Sequence, residues 1–121
     1  MATFSKILLS ASSDGRSIPV VATASPGSVV HTGSSTATTY DEVWLYAINT
    51  DSSDHKLTIE WGNTATPNDL IEQTITAEAG LTLVAPGLLI KGNASAALII
   101  KAFAASATKI MIHGYVNRIT A

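Results

Sequence analysis

Two neighbouring stretches decide the fold class: Glu42-Val43-Trp44-Leu45-Tyr46-Ala47-Ile48-Asn49-Thr50 and Lys56-Leu57-Thr58-Ile59-Glu60-Trp61. The second alternates strictly, with Leu57, Ile59 and Trp61 on one side and Lys56, Thr58 and Glu60 on the other. Period-two alternation is the signature of a strand with one face buried and one in water. The first is apolar at both odd and even positions, as expected of a central strand covered on two sides. A polar segment, 49–54, separates them. The pair therefore reads as an antiparallel hairpin with a longer loop.

The same punctuation continues outward from this centre. Runs of β-branched and apolar residues at 4–10, 18–24 and 28–32 end in clusters of Ser, Asp, Gly and Pro, including the tight-turn dipeptide Asp14-Gly15. Segment 33–39 is polar and reads as an exposed loop. Downstream, 69–76, 81–85 and 88–90 read as strands, with Pro86-Gly87 as a turn between the last two. Two longer strands follow at 96–104 and 109–119. The Ala-rich stretch 94–107 is the best helix candidate by propensity. It lacks a charged face and clear caps, and Leu98-Ile99-Ile100 with Phe103 favour a strand. Residues 77–79 could form a single helical turn. The expected architecture is all-β: an antiparallel β-sandwich, jelly-roll or Greek-key like, of about eight strands, as one domain over 1–121.

Composition narrows the function classes. Charged residues make up 13% of the chain and hydrophobic residues 46%, where a typical globular domain is about 25% charged. Surfaces thin in Lys and Glu resemble the cores of protein interfaces. The net charge of −2 and the scattered Lys and Arg residues argue against a nucleic-acid partner, which needs a clustered basic face. The apolar run Ile7-Leu8-Leu9 is too short for a signal peptide. No stretch reaches the roughly 20 apolar residues of a membrane helix. Cysteine is absent, so thiol chemistry is not expected.

Candidate chemistry is sparse. His31, His55 and His113 lie on different expected elements and do not form the close-spaced pair common in metal sites. Asn49, Asp51 and Asp54 share one loop without the spacing of a calcium motif. Asn63, Asn68 and Asp69 form a similarly weak set. Glu60 and Glu72 fall on outward faces of different strands, which gives no defined carboxylate pair. No nucleophile elbow or phosphate-cradling glycine loop is present. Asn93-Ala94-Ser95 matches a glycosylation acceptor, a match common by chance. Trp44, Tyr46 and Trp61 could form a sugar platform, but in a chain with so few aromatics core or interface packing is favoured. Catalytic residues, cofactors, metals and small-molecule substrates are accordingly not expected.

The segments Asp41-Glu42-Val43-Trp44-Leu45-Tyr46-Ala47-Ile48-Asn49-Thr50, Lys56-Leu57-Thr58-Ile59-Glu60-Trp61-Gly62 and His113-Gly114-Tyr115-Val116-Asn117-Arg118-Ile119 resemble small virion proteins of tailed bacteriophages. The likeness is to the head decoration, or cement, type, and rests on general character and not on a diagnostic motif. It implies a non-enzymatic subunit that binds the major capsid protein, commonly as a trimer or dimer, in a virion assembled in the bacterial cytoplasm. Many modest contacts summed over a lattice would supply its strength. Contact positions expected from terminal or loop placement are Phe4 and Lys6, together with Gly33, Ser34, Ser35 and Thr36. Two alternatives stay open: another phage head or tail subunit, and a carbohydrate-binding β-sandwich module.

Overall fold

The computed structural model describes residues 2–121. Nine strands form two antiparallel sheets: β1 (Thr3–Leu8), β2 (Ile18–Pro19), β3 (Ser28–Thr32), β4 (Thr39–Asn49), β5 (His55–Gly62), β6 (Leu70–Ile75), β7 (Thr82–Lys91), β8 (Ile99–Ala104) and β9 (Ile110–Thr120). The first sheet has the order β1-β9-β4-β7, with β2 also pairing to β9; the second is β3-β8-β5-β6. β1 and β2 together fill one strand position, because both pair with β9, at Thr3–Leu8 and at Ile18–Pro19. Two facing four-position sheets in this order are the jelly-roll arrangement of the β-sandwich. No helix occurs among the described residues; 94–107 is loop and strand, and 77–79 is a turn.

The hairpin expected from β4 and β5 is not formed. β4 pairs with β7 and β9, whereas β5 pairs with β6 and β8 in the opposite sheet. The polar segment between them is a crossing from one sheet to the other. Asn49 pins that crossing: its Nδ2 donates to the Ser53 and Ile75 carbonyls, each at 2.9 Å, and its Oδ1 accepts from the Asp51 amide. A second correction concerns Pro86-Gly87. The two short strands expected on either side are one strand, β7, whose pairing with β4 slips between Val43 and Trp44 and again between Leu45 and Tyr46. β7 lies at the sheet edge, where a proline removes no hydrogen bond that a further strand would need.

The core lies between the sheets. Val43, Leu45 and Ala47 of β4, Ile110, Ile112 and Val116 of β9, Leu57 and Ile59 of β5, and Ile100 and Ala102 of β8 are all fully enclosed. The alternation in 56–61 meets this expectation on its apolar side. On the other side it does not: Thr58 and Glu60 are buried although they point away from the core. The β2–β3 connection folds over Glu60. The Ser25 hydroxyl donates to Glu60 Oε2 at 2.5 Å and the Gly27 amide donates to Oε1 at 2.7 Å.

Candidate functional site

The two sheets differ in what they present outward. On the second sheet the outward positions include Lys56, Glu72, Thr74 and Lys101, with Lys56 Nζ and Glu72 Oε2 paired at 2.7 Å. Beside them lie Val29, Leu70, Ile99 and Phe103, so this exterior mixes polar and apolar side chains. The first sheet is different. Even positions of β4 point outward, placing Tyr40, Glu42, Trp44, Tyr46 and Ile48 in one row, all half-buried. Register with β9 puts Ile119, Asn117, Tyr115, His113 and Met111 directly beside them. β1 adds Phe4, Lys6 and Leu8; β7 adds Leu83, Leu89 and Lys91. Phe4, Leu8, Leu83 and Leu89 are 72, 50, 44 and 57% exposed. Among these outward positions only Lys6, Glu42 and Lys91 carry full charges. The central strand that the sequence marks as covered on two sides is thus covered on one, and its second apolar face is open.

A ladder of side chains crosses the middle of this face. Lys6 Nζ lies over the Tyr115 ring, 5.0 Å from its centroid. Tyr115 stacks on Trp44 with centroids 6.1 Å apart and planes at 11°. On β7, Gly87 (φ 77°) lies against the indole, where a Cβ would come within 3.0 Å of Trp44 Cζ2. Glu42 accepts from Trp44 Nε1 at 3.3 Å and from Asn117 Nδ2 at 3.4 Å. Glu42 thus holds the Trp44 indole hydrogen and the Asn117 amide within the face. Tyr115 meets Lys6 and Trp44 on its faces, and Trp44 meets Tyr115. A sugar platform needs an open aromatic face, and this stacking takes up both faces of Tyr115 and one of Trp44. A shallow groove of about 270 Å³ adjoins the ladder, lined by Phe4, Ser5, Lys6, Glu42, Asn117 and Ile119.

The strongest electrostatic feature is buried between the sheets. Asp41 is inward on β4 and 1% exposed. Arg118, opposite it on β9, grips both carboxylate oxygens: Nε to Oδ1 at 2.7 Å and Nη2 to Oδ2 at 2.8 Å. From the facing sheet, His31 Nε2 donates to Asp41 Oδ2 at 2.8 Å. The Ser10 amide donates to His31 Nδ1 at 3.0 Å. An amide can only donate, so Nδ1 accepts and the ring hydrogen sits on Nε2. Burial pushes the Asp41 carboxyl up, but the Arg118 and His31 hydrogen bonds outweigh it and hold the group below the usual carboxylate range. The same contact raises Arg118 above its ordinary value. Ser10, His31 and Asp41 together look like a nucleophilic triad in composition only. The serine meets the imidazole through its backbone, and its Oγ accepts from the Thr32 amide at 2.7 Å. The cluster ties β3, β4 and β9 together.

Other candidates from the sequence fall into local roles. His55 Nε2 lies 2.7 Å from Asp51 Oδ2 across the β4–β5 crossing. Asp54 Oδ1 accepts from the Ala77 amide and Asp69 Oδ2 from the Ala65 amide. Asn93 Oδ1 accepts from the Ser95 and Ala96 amides. Among the described residues no group of three His, Asp or Glu side chains is placed to hold a metal ion, and every buried side-chain nitrogen or oxygen has a hydrogen-bond partner.

The expected contact residues separate into two places. Phe4 and Lys6 lie on the open face, at its β1 edge. Gly33, Ser34, Ser35 and Thr36 lie where the chain crosses from β3 to β4. That crossing is stitched to the β7–β8 connection: the Gly33 amide donates to the Leu98 carbonyl, and the Ala94 amide to the Ser35 carbonyl. Gly33 and Ser34 are half-buried and only Ser35 and Thr36 are exposed. Sequence reading missed Tyr115, Ile119, Leu83 and Leu89 as members of the face. The alternation of 110–119 carried the signal for the first two. No family model, curated protein or solved structure matches the chain.

Proposed function

We propose that the chain is a non-enzymatic virion structural protein that decorates and stabilises a bacteriophage capsid through subunit contacts. One observation carries this reading. The first sheet is apolar on both faces, and its open face is aromatic and nearly free of charge, the composition of an interface core. A rigid sandwich with a cross-sheet aromatic ladder suits a clamp that must not deform under load. Large apolar patches on soluble domains mark interaction sites. The buried polar clusters have structural partners. The carbohydrate-binding alternative is less well supported, because the Trp44 and Tyr115 rings stack on each other and on Lys6.

On this reading the chain is a stoichiometric component of phage particles produced by its source strain. Mass spectrometry of gradient-purified particles is expected to find it alongside the major capsid protein. Electron microscopy of particles incubated with added chain is expected to show regular density on the head. Purified particles that neither contain the chain nor take it up would sink the proposal.

A further inference from the structure

We infer that the outer face of the β1-β9-β4-β7 sheet packs against the same face of a second copy, forming a two-fold dimer sheet on sheet. The inference rests on the reading that the chain works by assembly, and it specifies which face and which occupant. Area is the first argument. β4 has 11 residues, which at about 3.4 Å each give a length near 37 Å, and four strands at about 4.8 Å give a width near 19 Å. The footprint is about 700 Å², close to the roughly 800 Å² that each partner contributes to a stable interface.

Desolvation is the second argument. Glu42, Asn117 and the Trp44 Nε1 hydrogen already bond to one another within the face. The indole hydrogen and the Asn117 amide therefore keep a partner when the face is covered, and unpartnered donors are the usual obstacle to burying polar groups. Paired antiparallel sheets pack face to face about 10 Å apart. The exposed Leu83 and Leu89 supply side chains to fill that space.

Sedimentation equilibrium of the whole chain tests this. The expected mass at about 50 μM is twice 12.5 kDa. Leu83→Lys and Leu89→Lys sit on exposed side chains, so the fold should survive, as far-UV circular dichroism would check. Each is expected to weaken dimerisation roughly 100-fold. Thr74→Lys, on the outer face of the other sheet, is expected to leave it unchanged. A wild-type chain that stays monomeric would overturn the inference. So would a dimer or larger oligomer that ignores both leucine substitutions. A monomer that binds phage heads through this face would overturn the second-copy inference and leave the capsid reading standing. A dimer that ignores phage particles would do the reverse.

Discussion

Asp41 shows how one buried charge is made tolerable. Taking a carboxylate out of water costs several kcal/mol, and only a close, fully bonded partner set offsets it. Arg118 supplies a two-pronged contact and His31 a third hydrogen bond. The consequence is a pH dependence of definite sign. Asp41 titrates lower in the folded chain than in the unfolded one, where an ordinary aspartate sits near about 3.9. Its contribution to stability is complete above that unfolded value. Below it the unfolded chain takes up the proton first, and the contribution falls away as pH drops through the lower, folded value. Urea unfolding is therefore expected to show a loss of stability below about pH 4. Asp41→Asn should flatten that limb while costing about 2–3 kcal/mol at neutral pH, because Arg118 keeps some access to water and its loss is partly relieved. An Asp41→Asn chain with the same acid limb as wild type would show that the titration lies elsewhere.

The strands explain both what the sequence discloses and what it hides. Gly114 of β9 sits opposite Leu45, and a Cβ there would come within 2.0 Å of the Trp44 carbonyl oxygen. That atom is backbone and cannot step aside without parting β4 from β9. Gly114→Ala is expected to cost about 2–4 kcal/mol, read as a lower urea midpoint with an unchanged slope. Stability equal to wild type would mean the two strands can shift freely. Strand positions were largely legible, because alternation is local: 28–32 is β3 to the residue, and the inward side of β5 is as 56–61 reads. Sheet membership was not. Alternation shows that a strand has a wet and a dry side, but it does not show which neighbour shares its sheet. A polar link of a few residues looked like a hairpin loop, while Asn49 uses it to cross the sandwich. Glu60 was hidden for a related reason, since the loop that covers it lies far away in sequence, at Ser25 and Gly27. Likewise Pro86-Gly87 carries a turn signal, and only its place at a sheet edge turns it into a bulge. Of the candidate contact positions, Phe4 and Lys6 lie on the open face and Gly33 to Thr36 do not, because terminal or loop placement says nothing about which face a residue joins.

The open face of the first sheet exposes Phe4, Leu8, Leu83 and Leu89, and stability should register whether it stays wet. If the apolar face is covered by a second copy, unfolding separates two chains, and mass action favours the folded pair as concentration rises. Each tenfold increase adds about 1.4 kcal/mol per dimer, or about 0.7 kcal/mol per chain. For a chain of this size that corresponds to a rise of about 3 °C in Tm. Calorimetry across a hundredfold range of concentration is therefore expected to show a Tm that climbs by about 6 °C for the wild type. The Leu89→Lys chain should hold one Tm throughout, because its exposed lysine opposes the pairing without touching the core. Its Tm should lie below that of the wild type across this range, and the gap should narrow towards the dilute end. Parallel curves for the two chains would separate the leucine from the association. A wild-type Tm indifferent to concentration would mean that the second face of β4 stays wet, and that its aromatic row serves the sheet alone.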